Sequence, residues 1–87
     1  MQALPDAALV IAQVREVLGR HGGLTQPIST ISDEAPLSDA GMTSHASVNV
    51  MLALEAVFGE IPERMLTRSV FRSVANIAHA MRELSTR

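Results

Sequence analysis

Apolar residues recur every three to four positions in three separate stretches of this chain, and no stretch reads as a strand. Helices that each bury one stripe produce this pattern; strands of a half-buried sheet would alternate. The first stretch runs from about Asp6 to Arg20, with Val10, Val14, Val17 and Leu18 on one face and Asp6 as its N-cap. Gly22 and Gly23 end it, because glycine tolerates the left-handed backbone that follows a helix. The second covers Ser44 to Phe58. At about 100° per residue, Val50, Leu54, Val57 and Phe58 share its core face, with Met51 at the edge. The opposite arc carries His45, Asn49, Leu52 and Ala56, with Val48 between the two. The third helix is capped by Ser73 and ends near Leu84, with Val74, Ile77, Ala78, Met81 and Leu84 as its stripe.

The connections differ in kind. Residues 22–43 have no helical period and are rich in Gly, Pro, Ser, Thr and Asp. Loops longer than about 12 to 15 residues are uncommon in compact domains and are often functional. Ile28, Ile31 and Leu37 are the side chains able to pin this one to a core, and a short turn of helix fits inside it. The other connection reads as a short helix from Pro62 to about Arg68, with proline in its first turn and Glu63 at its positive end. The expected fold is all-α: a small four-helix bundle of three main helices plus a short third helix, with a long first loop. Residues 85–87 are expected to fray.

Eighty-seven residues make one domain, 1–87, with an ordered core of about 5–84. A domain of this size is marginal and lacks room for a deep substrate cavity beside its core. Only two aromatics are present, so aliphatic and Met side chains fill the interior. Val14, Val50, Leu54, Phe58, Val74, Ile77 and Met81 are the expected core, and Phe58→Ala would cost about 3 to 5 kcal/mol if that ring is fully buried. With no cysteine, the chain offers no disulfide, thiolate–zinc site or thiol nucleophile of its own. All seven basic residues are arginines, the net charge is −2 and no basic stripe is present, which argues against nucleic acid. No run reaches the roughly 18 apolar residues of a membrane span. The N-terminus lacks the basic region of a signal peptide, so a cytoplasmic protein is expected.

Ser44 stands where a glycine turn meets the start of the second helix. A helix N-terminus presents unpaired N–H groups and a partial positive charge, a setting that suits an anion. Ser44 is read either as an ordinary cap or as an attachment point, and Thr43 is an alternative cap. A hydrolase is disfavoured: Ser44 and His45 point about 100° apart, and no base–acid pair accompanies them. His21 and His79 show no ligand spacing, and no metal site is expected. Arg64, Arg68 and Arg72, at four-residue spacing, read as a solvated face or as a basic edge that touches a partner or a phosphate. A break before Arg72 would scatter them. Met42 reads as a core plug or a contact residue, and Val48 and Leu52 as loop contacts or a partner-facing strip.

The run Leu37-Ser38-Asp39-Ala40-Gly41-Met42-Thr43-Ser44 resembles the signature of acyl and peptidyl carrier proteins. Val50 to Glu55, Phe58-Gly59, Ile61-Pro62 and Ser73-Val74 extend the likeness over essentially the whole chain. The resemblance implies an acyl-carrier-protein-like fold and 4′-phosphopantetheine attached covalently to Ser44, its thiol holding a carboxylic acid as a thioester. Two positions depart from the pattern: Thr43 replaces an aspartate and His45 a leucine. The second helix also carries a single acid, Glu55, where the family's is acidic. Gly41 to Val48 more closely resembles stand-alone aminoacyl carriers served by amino acid:carrier-protein ligases that resemble seryl-tRNA synthetase. That implies a non-enzyme whose partners are a phosphopantetheinyl transferase, such a ligase and a downstream acceptor, and a monomer is expected because successive partners need the same surface. Met42, Thr43, His45, Val48, Leu52 and Arg68 are the candidate contacts. The alternatives are an acyl carrier for a specialised lipid or polyketide pathway, a non-carrier helical interaction module and, more remotely, a small DNA-binding protein.

Overall fold

A computed structural model describes residues 7–85. It holds three α-helices, α1 (Ala7–His21), α2 (Ser44–Phe58) and α3 (Val74–Ser85), and no strand among the described residues. Helix α1 packs against both α2 and α3, so it forms the spine of the core. The expected stripes are the buried ones: Val10, Val14, Val17 and Leu18 from α1, Val50 and Leu54 from α2, and Val74, Ile77, Ala78 and Met81 from α3. The expected cap at Asp6 lies outside the described residues.

Two expectations for α2 need correction. Val57 is 49% exposed rather than core, and Phe58 is half-buried, packing against the core from its margin. Both lie at the helix's last turn, where Gly59 already turns the chain away with a φ of 98°. The Glu55 carboxylate accepts a hydrogen bond from the Ile61 N–H at 3.0 Å, so this acid fixes the exit of α2. Past this turn, Ile61 and Met65 are buried in the core.

The segment expected as a short helix from Pro62 to Arg68 holds a single 3₁₀ turn, Glu63–Met65, and a second 3₁₀ turn, Val70–Arg72, follows it. Leu66 leaves helical space with ψ 67°. The Thr67 hydroxyl accepts from the Val70 N–H at 3.2 Å, a local side-chain bond that competes with a continuing α-helix. Ser73 is the cap of α3, as the sequence indicates: its Oγ accepts from the Asn76 N–H at 3.1 Å.

The long loop, residues 22–43, is pinned more firmly than its composition suggests. Ile31 and Leu37 are buried, Ile28 is half-buried, and short 3₁₀ turns form at Ile28–Thr30 and Leu37–Ala40. The Arg15 guanidinium of α1 reaches into the loop. It pairs with Asp33 at 2.8 Å and donates to the carbonyls of Ile31, at 2.9 Å, and Ile28. Asp33 also accepts the Ala75 N–H through its backbone oxygen at 2.8 Å, which satisfies an orphan donor in the first turn of α3. One loop thus joins the middle of α1 to the start of α3 and leads directly into α2.

Candidate functional site

The approach to Ser44 is built by residues 37–43. Leu37 and Ala40 are buried and anchor a 3₁₀ turn that closes at Gly41 in the left-handed region, φ 102°. A side chain at Gly41 would meet Thr25, whose Cγ2 would lie 2.7 Å from the added Cβ. Thr25 donates to the Ala40 carbonyl through both its N–H, at 2.9 Å, and its hydroxyl, at 3.1 Å. Glycine at position 41 is therefore required both by its backbone angle and by its close approach to Thr25. It makes a defined corner that aims the chain into α2.

Thr43 is the N-cap. Its backbone is extended (φ −91°, ψ 169°), and its hydroxyl accepts from the Ala46 N–H at 3.1 Å. Its carbonyl accepts from both the N–H and the hydroxyl of Ser47. Ser44, the first residue of α2, is exposed, and its hydroxyl has no hydrogen-bond partner among the described residues. The reading of Ser44 as an ordinary cap is thereby corrected, since its neighbour performs that task. The Ser44 and His45 N–H groups precede the first intrahelical bonds and face the end of α2.

Ser44 lines an open groove of ≈ 770 Å³. Met42 and Phe71, both half-buried, supply its apolar part, and Arg68, Arg72 and Asp39 its charges. Met42 thus packs on the core and faces the groove at once. The three arginines are scattered, because the chain breaks into 3₁₀ turns: Arg64 lines a different hollow with His79 and Glu83. Val48 and Leu52 are 51% and 55% exposed, so they are not loop-covered core. Leu52 borders a second hollow between α1 and α2. His45 is exposed. The structure therefore gathers Met42, Thr43, Ser44 and Arg68 at one groove, and leaves His45, Val48 and Leu52 on the surface of α2. Phe71 is among the groove residues that sequence reasoning missed, since a lone aromatic in a non-periodic segment carries no signal.

A free hydroxyl at a helix N-terminus, on a groove that Arg68 and Arg72 also line, fits a phosphate ester. The family model for the phosphopantetheine attachment site matches residues 8–81. The chain belongs to this family. An aminoacyl carrier protein of Agrobacterium fabrum is 45% identical over 67 residues, 76% of this chain and 81% of that protein. A carrier protein from Agrobacterium tumefaciens was solved with AMP and an engineered Bradyrhizobium japonicum glycine:[carrier protein] ligase. It superposes with a TM-score of 0.77 at 42% identity, over 80% of this chain and 95% of its own. A glycylated carrier protein bound to the Bradyrhizobium japonicum ligase gives 0.71 at 29% identity, over 83% and 97%. The fold is that of these carriers, and the family's covalent cofactor is 4′-phosphopantetheine. Family membership replaces the readings as a non-carrier interaction module and as a DNA-binding protein. Among the described residues no helix is long and apolar enough to cross a membrane.

Proposed function

We propose that this chain is an aminoacyl carrier protein, a single domain over residues 1–87, with Ser44 as the residue that bears 4′-phosphopantetheine. The observation that carries the assignment is the division of labour at the start of α2. Thr43 holds the cap, which leaves the Ser44 hydroxyl exposed and unengaged. When bound, the group supplies a thiol on a flexible arm, which this cysteine-free chain lacks. The protein's own residues position the attachment oxygen, balance charge around it and present a docking surface. Its contribution is tethering, which raises the effective concentration of a held acid at each partner.

The cargo is inferred to be a small amino acid. Support comes from the likeness to an aminoacyl carrier protein and to carriers solved with a glycine:[carrier protein] ligase. The same likenesses favour it over an acyl carrier for lipid or polyketide synthesis. The partners are then a phosphopantetheinyl transferase, an ATP-dependent amino acid ligase and a downstream acceptor enzyme, met in the cytoplasm by a monomer. Met42, Thr43, His45, Val48, Leu52 and Arg68 are the proposed contacts. The exposed α2 surface offers apolar and neutral polar groups rather than acids, so its partners should present an apolar surface there.

The test is intact-mass spectrometry of the arm-bearing protein incubated with ATP and either amino acids with a glycine:[carrier protein] ligase or fatty acids with an acyl ligase. The mass of one small amino acid should appear. Loading by fatty acids through an acyl ligase, with no amino acid accepted, would replace this reading with the acyl-carrier one.

A further inference from the structure

We propose that Arg68 and Arg72 form a cationic clasp for the phosphodiester that joins Ser44 to its arm, a reading that rests on Ser44 being the attachment residue. Both arginines line the groove that Ser44 enters. Both are exposed, and neither has a carboxylate within ion-pair distance among the described residues. The groove's formal charge is two guanidiniums against the single carboxylate of Asp39, a net +1. A phosphodiester carries −1 and would balance it, with the partial positive charge of the α2 N-terminus adding to the attraction. Guanidinium suits this task because its fixed fork of donors matches two phosphate oxygens at once.

The segment that carries the two arginines is held in place. The Val70 N–H donates to Thr67 Oγ1 at 3.2 Å, and Asn76 Nδ2 donates to the Ser69 carbonyl at 2.8 Å, tying the turn to α3. Half-buried Val70 and Phe71 pack on the core between the two arginines. The cations therefore sit on an ordered turn, and only their side chains need to close on the ligand. The arrangement also accounts for the 3₁₀ break after Leu66: a continued helix from Pro62 would keep Arg64, Arg68 and Arg72 on one stripe, whereas the break sends two of them to the Ser44 groove and Arg64 elsewhere. The clasp gives the arm a fixed root and leaves its distal part free to reach partners.

The experiment compares protein without and with the arm by NMR, after peptide mass mapping has located the arm. On attachment, the Nε–Hε signals of Arg68 and Arg72 should shift, and those of Arg64 and Arg82 should stay in place. The phosphorus signal of the wild type should differ from that of R68Q/R72Q, and should move toward the variant's position as salt is raised. If the arm is on Ser44 and neither the arginine nor the phosphorus signals respond, the clasp is wrong and the attachment stands. An arm mapped to another residue overturns both. Should the double variant resist modification, the wild-type arginine signals alone decide.

Discussion

Replacing Arg15 with methionine removes a guanidinium and keeps most of the stem volume. In the structure that guanidinium makes a 2.8 Å ion pair to Asp33 and donates to two loop carbonyls, those of Ile28 and Ile31. An exposed ion pair alone would contribute about 0 to 1 kcal/mol. Hydrogen bonds that involve a charged group contribute about 1.5 to 3 kcal/mol each when shielded. Here the Arg15 and Asp33 side chains are 24% and 38% exposed, so water replaces part of what is lost. The expected cost is about 2 to 3 kcal/mol, below the roughly 3 to 6 kcal/mol that two fully shielded charged bonds would give. A small domain has roughly 5 kcal/mol in total. At about 4 to 8 °C per kcal/mol for a domain of this size, Tm should fall by about 10 to 20 °C. Urea and thermal melts followed by helical circular dichroism measure this, and amide exchange should quicken across residues 28–33. A variant within about 1 kcal/mol of wild type would show the contact to be an ordinary surface ion pair. The loop would then be held by Ile31 and Leu37 alone.

Three further outcomes are expected. Thr43→Ala should lose about 1 kcal/mol as a cap, whereas Ser44→Ala should stay within about 0.5 kcal/mol of wild type; equal losses in chemical melts would mean the cap is shared. Leu54→Ala, at a fully buried position, should cost about 2 to 5 kcal/mol, and Phe58→Ala less than the 3 to 5 kcal/mol of a fully buried ring, because Phe58 is only half-buried. Denaturation of both variants ranks them, and a larger loss at Phe58 contradicts the burial described. Leu52→Glu should leave stability within about 0.5 kcal/mol and weaken binding to the ligase; a collapse in stability would make Leu52 core instead.

Helix α2 was legible in the sequence to the residue, because a glycine corner precedes it and Gly59 ends it. Ser73 was equally plain, as a cap followed by an uninterrupted stripe. The Pro62–Arg68 helix was not, since proline and glutamate signal a start whatever follows. The chain instead closes as a 3₁₀ turn, leaves helical space at Leu66 and makes a local bond at Thr67, none of which periodicity registers. Val57 was misplaced for a different reason. A helical wheel gives the direction of an apolar arc but not how far along the helix the neighbouring elements reach. Arg15 went unnoticed because two of its three partners are backbone oxygens of a loop without any repeat. Within the site, the serine was identifiable from its corner and its helix end. The Arg68 and Arg72 side of the groove depended on a turn geometry that only the folded chain supplies.

The most direct trial of the account uses the chain's own arginines. Trypsin releases residues 21–64 as one peptide, because no Arg or Lys lies between Arg20 and Arg64. After reaction with coenzyme A and a phosphopantetheinyl transferase, fragmentation of that peptide should localise a single phosphopantetheinyl mass to Ser44, and Ser44→Ala should gain none. The same mass found on Thr43, Ser47 or another hydroxyl, or retained by the alanine variant, would contradict it.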